Sequence, residues 1–266
     1  MISVGKYGFS LLLFLSFTTS TNAQIKLDSL WGIWKDESRA DTSRLNALFE
    51  FAQEIGKNKP DSVFSLAEEQ YNFAYQKNLL IWEGKALYLA AGAHFETGNY
   101  TQALTYYFKA QPIFSQLKDS VFLANAYNGI ASCYRRNLDY QKSESYFVKS
   151  KDIADQIGNE TLSLRALNNL GNLYRAIGDM TKAIQFHTQA LTKYKILGDE
   201  FRYGGSLMNI GNILSDQGEK MKALDYYKQS LEIMRKENYQ LGIVGNKRNI
   251  AQIYHLDFED YPRALE

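Results

Sequence analysis

Cysteine is almost absent: Cys133 is the only one in 266 residues. No internal disulfide can form, so the fold must stand on packing alone. A lone thiol of this kind is expected to be a small, partly buried helix residue. Proline is nearly as scarce, with Pro60, Pro112 and Pro262 the only three, which leaves helices free to run almost everywhere from residue 41 to residue 266. The three histidines, His94, His187 and His255, lie far apart in the chain, and the first and second fall on core-type positions, so no metal site is expected. Phosphate loops, nucleophile motifs and regular carboxylate pairs are missing too. No catalytic residue and no cofactor are therefore expected. An excess of charge is lacking as well, since 30 basic residues face 29 acidic ones. That balance excludes a general affinity for nucleic acid or an anionic membrane surface.

The one long apolar run, Phe9 to Phe17, stands at the N-terminus behind Lys6, the only charged side chain in residues 1–23. The run is far shorter than the roughly 20 residues a spanning helix needs. It leads into Thr21-Asn22-Ala23, with small residues at both positions a signal peptidase reads. Residues 1–23 are therefore expected to be a secretory signal peptide cut before Gln24, and the protein is expected to be exported, periplasmic or secreted, without stable membrane insertion after cleavage. Without Lys6 the mature chain carries 29 basic and 29 acidic residues.

What the chain has in abundance is repetition. Ala91, Ala131, Gly171, Gly211 and Ala251 are each 40 residues apart. Twelve residues after the first four stand Ala103, Ser143, Ala183 and Ala223, also small. Large residues, His94, Tyr134, Tyr174, Leu214 and Tyr254, follow the first series at a spacing of three. A fixed period in this range marks a stacked array. Inside each unit apolar residues recur every three or four positions, as in Leu164, Leu167, Leu170 and Leu173, which is the helix period. Turn signals keep the same beat: Gly98-Asn99, Leu138-Asp139, Gly178-Asp179 and Gly218-Glu219 close the first helix of each unit. Asn78, Lys118, Gly158, Gly198 and Asn238 close the second, with Lys118 the exception whose turn is expected to differ. Thr101 and Thr181 are expected to cap the second helices.

The predicted elements are helix pairs at about 41–57 with 61–77, 81–97 with 101–117, 121–137 with 141–157, 161–177 with 181–197 and 201–217 with 221–237, then a last first-helix at about 241–256. Each is about 25 Å long at 1.5 Å per residue. A lead segment, 24–40, precedes the array, which occupies 41–266 with its last repeat incomplete. Asp260 to Glu266 reads as the opening turn of another second helix, and the chain is expected to be truncated there or to continue into something else.

The units resemble tetratricopeptide repeats. Leu167, Leu170, Gly171, Tyr174, Ala183, His187 and Ala190 follow that family's pattern of large and small residues, with His187 where an aromatic is usual. Leu207, Ile210, Gly211, Leu214, Ala223, Tyr227 and Ser230 follow it as well, and Tyr127, Ile130, Ala131, Tyr134, Ser143, Phe147 and Ser150 more loosely. The 40-residue unit departs from the usual 34. The longer form is similar to kinesin light chains and to periplasmic sensor regions of Bacteroidota-type bacteria, whose opening Leu30-Trp31-Gly32-Ile33-Trp34 and Pro60-Asp61-Ser62 resemble. The resemblance implies an all-α, right-handed solenoid of antiparallel helix pairs.

It also implies that the first helices line a concave, protein-binding face. Lys85, Asn128, Arg135, Arg136, Arg165, Asn168, Asn172, Arg175, Asn212 and Arg248 match the groove positions, joined by Tyr88, Glu96, Asn125, Asp216 and His255. Basic and amide groups dominate this set although the mature chain is neutral. Arginine grips carboxylates with a two-pronged fork, and asparagine both donates and accepts, as a peptide backbone requires. The expected partner is a protein or peptide, an acidic one, held in this groove. Two other readings stay open: the sensory ectodomain of a signalling protein with a cyclase or histidine kinase part downstream, and a structural spacer. The spacer reading gives the arginines to solvent and lets Asn169, Asn209 and Asn249, again 40 apart, bridge neighbouring helices.

Overall fold

The computed structural model describes residues 21–56 and 59–257. The expected signal peptide up to residue 20 and the opening of the last repeat, 258–266, lie outside the described residues. Among those described there are twelve α-helices and no strand: α1 (Thr21–Lys35), α2 (Asp41–Ile55), α3 (Pro60–Gln76), α4 (Leu80–Glu96), α5 (Tyr100–Gln116), α6 (Ser120–Arg136), α7 (Tyr140–Gln156), α8 (Glu160–Ile177), α9 (Met180–Leu197), α10 (Glu200–Asp216), α11 (Lys220–Lys236) and α12 (Gln240–Gln252). A π-helical turn, Ile253–Asp257, follows α12. Each helix packs on the one before and the one after it, giving an all-α solenoid of the tetratricopeptide type.

The boundaries are set by one device used nine times. Every inter-helix turn from α3 to α12 contains a residue with left-handed backbone, at 78, 98, 118, 138, 158, 178, 198, 218 and 238. After α8 the Asp179 N–H donates to the Tyr174 carbonyl at 3.0 Å and the Gly178 N–H to that of Arg175 at 3.1 Å, which satisfies carbonyls the helix end leaves open. Lys118, expected to differ, does not: its φ is 54°, the same conformation as its glycine and asparagine equivalents. The capping residue is also not the one expected. Thr181 lies inside the first turn of α9, and Asp179 caps it by accepting from the Lys182 N–H. Asp119, Asp139, Asn159 and Asp199 do the same for α6, α7, α8 and α10. Thr101 likewise sits within α5, whose N-cap position, Asn99, makes no side-chain cap bond. The residue just after the left-handed position is the one whose side chain can reach back to the third helical N–H.

The small residues serve close packing. Gly171 lies under the His187 ring, where a Cβ would come within 2.6 Å of it, and Gly211 lies under Tyr227 at 2.8 Å. Ala131 and Phe147 share a core cluster in the same way. Ser143 Oγ donates to the Ala131 carbonyl at 2.9 Å, which joins the two small-residue series directly. Ser150 and Ser230 make matching bonds to the carbonyls of Ala124 and Gly204, both at 2.8 Å. Cys133 is wholly buried rather than partly so, and burial pushes its thiol up to about 12, which leaves it inert as a nucleophile.

The lead segment is a repeat element in its own right. α1 packs on α2 as each second helix packs on the first helix that follows. Its buried Leu30 and Trp34 stand 40 residues before the buried Gln70 and Ala74 of α3. Trp34 lies edge-on to Phe73 at 5.3 Å and donates through Nε1 to Glu69 at 3.2 Å. The expected cleavage point before Gln24 falls in the opening turn of this helix.

Candidate functional site

The backbones of the first helices approach from unit to unit, α2 with α4, α4 with α6, α6 with α8 and α8 with α10, while second helices meet through longer side chains, as Phe64 of α3 meets Tyr106 of α5 and Phe108 of α5 meets Tyr146 of α7. In a curved stack the wall whose helices approach each other is the inner one. That wall carries the residues expected at the groove, and the structure divides them by what they already hold.

Three amides are engaged within the protein. Asn168 donates to the Tyr194 hydroxyl at 3.0 Å and its Oδ1 faces His187 Nδ1 at 3.1 Å. Asn128 Oδ1 accepts from Asn169 at 2.8 Å. Asn212 Oδ1 accepts from the Tyr227 hydroxyl at 2.8 Å and from Asn249 at 3.0 Å. Asn169 and Asn249 therefore bridge successive first helices, whereas Asn209 makes no such bond among the described residues. The basic residues also differ. Arg175 Nε meets Asp216 Oδ2 at 2.6 Å on the next first helix. Arg165 donates to Asn125 across one unit and stays exposed. Lys85 places its ammonium 4.1 Å from the Trp82 ring, 4.9 Å from Phe122 and 5.7 Å from Phe49. Burial there draws its pKa below the ordinary lysine value, against the pull of Asp119. Arg136, Asn172 and Arg248 form no hydrogen bond or ion pair among the described residues, and Arg136 and Arg248 are exposed. Arg135 is partly buried with its Nε shut away from any acceptor, and burial together with neighbouring Arg136 holds its pKa below the arginine norm.

Two grooves on the other wall escaped the sequence reading. One, of about 490 Å³, opens between α3 and α5 over α4 and includes Tyr71, Leu87, Tyr106 and Lys109. The other, of about 310 Å³, opens between α9 and α11 over α10 and includes Leu191, Leu207, Tyr226 and Gln229, the same positions three units on. Among the described residues no cluster of three or more His, Cys, Asp or Glu side chains could hold a metal, and no helix is long and apolar enough to cross a membrane.

The class is thus a helical-repeat solenoid whose inner wall is rich in cations and amides. Models of the tetratricopeptide repeat match residues 122–196 and 204–238, and the units there are tetratricopeptide repeats. No curated protein matches the sequence. Solved structures share the fold at low identity. BtubC (BKLC) of P. vanneervenii is 18% identical with a TM-score of 0.64, over 82% of this chain and 90% of that one. Aspartyl phosphate phosphatase F of Bacillus subtilis is 15% identical with a TM-score of 0.70, over 90% and 62%. NprR in complex with its cognate peptide NprX is 13% identical with a TM-score of 0.65, over 91% and 71%.

Proposed function

We propose that this chain is an exported binding protein that holds a segment of another protein, or an acidic peptide, along its inner wall, and that it is not an enzyme. The observation that carries this reading is a set of unspent polar groups on α6, α8 and α12: Arg136, Asn172 and Arg248 have no hydrogen-bond or ion-pair partner among the described residues, and Arg165 of α8 is exposed. Arginine without a carboxylate of its own on a crowded wall offers the fork that an acidic chain needs. NprR, a neighbour in fold, holds a peptide, which supports the same use here. Panning a random peptide library on the full chain is expected to enrich acidic sequences. Their affinity should fall at least tenfold when Arg165, Asn172 and Arg248 become alanine together. Equal affinity in that variant would overturn the reading.

A second reading, a structural spacer, draws support from Asn128, Asn168 and Asn212, whose oxygens are already committed inside the solenoid. It predicts that panning enriches nothing. Export rests on the leader sequence; cell fractionation with N-terminal sequencing should find Gln24 as the first residue outside the cytoplasm.

A further inference from the structure

The repeat supplies its own control for Arg135. Its equivalent one unit later is Arg175, which meets the carboxylate of Asp216 on the following first helix at 2.6 Å. The position that would serve Arg135 in the same way is one unit before Asp216, and it is Ala176. Arg135 has therefore kept the cation of the pair and lost the acid. Its Nε is buried with no acceptor. The residue beside it in sequence is Arg136, a second cation, and the other groups that influence it are the hydroxyls of Tyr100 at the start of α5 and Tyr140 at the start of α7. Glu96 holds the place of Arg136 one unit earlier, yet forms no ion pair with either arginine. Two adjacent arginines, Arg135 partly buried and Arg136 exposed, thus stand without an ion-pair partner among the described residues.

From this geometry we infer that the corner formed by Arg135, Arg136, Tyr100 and Tyr140 is an anion site that takes a phosphoryl group. One carboxylate would leave one of the two guanidinium charges unbalanced, whereas a phosphoryl dianion matches both and offers three acceptor oxygens to forked donors and hydroxyls. The site deepens the inner-wall reading, and rests on it only where the phosphoryl group is carried by a bound peptide.

The test is thermal unfolding of the full chain in sodium phosphate against sodium chloride at equal ionic strength, followed by titration with a phosphoserine peptide and its serine counterpart. Wild type is expected to melt several degrees higher in phosphate. Arg135→Ala should lose that difference. Ala176→Asp should lose it too, because it restores the internal acid while leaving both arginines in place and the fold intact. Arg165→Ala should keep it. A response to the phosphoserine peptide at a tenfold lower concentration assigns the phosphoryl group to a peptide; a response to inorganic phosphate alone assigns a free anion, and both support the site. Equal melting in the two salts overturns it while leaving the inner-wall reading standing, as does a phosphate response that Ala176→Asp retains.

Discussion

At Leu138 the fold asks a leucine to adopt φ 62°, a conformation its neighbours in the repeat mostly give to glycine or asparagine. The left-handed backbone costs a residue with a Cβ about 1–2 kcal/mol, and the leucine side chain recovers little because it is 70% exposed. Leu138→Gly should therefore stabilise the protein by about 0.5–1 kcal/mol, after the extra freedom glycine has in the unfolded chain is subtracted, and urea unfolding should show a higher midpoint. The converse change, Gly178→Val, should cost about 1–2 kcal/mol from backbone strain alone, since a Cβ there would meet nothing within 4 Å. His187 makes a different demand. It is wholly buried, Nδ1 faces the Asn168 oxygen, Nε2 has no partner, and burial with help from Arg175 pulls its pKa down to about 4. The unfolded chain, near 6.5, binds the proton more readily. The neutral ring's contribution is thus complete above about pH 6.5 and is lost as pH falls from there to about 4, by about 3 kcal/mol in all. His187→Phe, with the residue its equivalent Phe147 supplies, should remove that part of the pH dependence. Stability curves of the two proteins that stay parallel from pH 7 to pH 4 would refute the assignment.

Among the elements, eleven helices were legible because two signals coincide at a 20-residue beat: the left-handed residue and, in six of the nine turns, an aspartate or asparagine after it. Thr101 and Thr181 misled because a threonine near a helix start is a sound capping residue in isolation, whereas the true cap is fixed by the turn before it, as Asp179 is by Gly178. α1 was not legible. Its sequence begins inside the stretch that reads as a peptidase site, and the large Leu30 stands where later units use small residues or polar Gln70. Its role is to close the N-terminal end of the described stack. Trp34 is 3% exposed and lies beneath the Arg44 guanidinium, 5.2 Å from the ring. Trp34→Ala should cost about 3–5 kcal/mol of local stability. Amide exchange should quicken in α2 and α3 and stay unchanged in α9 and α11, because the helices between them share no contact with α1.

For the molecule as a whole, the period told more about architecture than about the site. Aligning residues 40 apart collects equivalent positions, and the family resemblance, which implies that first helices line the inner wall, then gave that wall its excess of arginine. It did not find which groups were already used, because partners in neighbouring units are offset unevenly: 41 residues for Arg175 with Asp216, 37 for Asn249 with Asn212. Only the geometry separates the committed amides from Arg136, Asn172 and Arg248. The same geometry governs how the stack should come apart. Helices contact mainly their sequence neighbours and the next helix of the same wall, with Phe49 of α2 reaching Phe122 of α6 at 5.7 Å. Stability is then a sum of unit and nearest-neighbour contributions. Phe147 is wholly buried in α7 against Ala131 and Leu170, so it ties the unit of α6 and α7 to the unit of α8. Phe147→Ala should remove about 3–5 kcal/mol there. If the array is quasi-linear, hydrogen exchange should rise steeply in α6, α7 and α8, modestly in α5 and α9, and not at all in α2 or α11. A uniform rise from α2 to α12 would mean that the solenoid opens as one cooperative body, and that a partner bound along the inner wall would steady all of it at once.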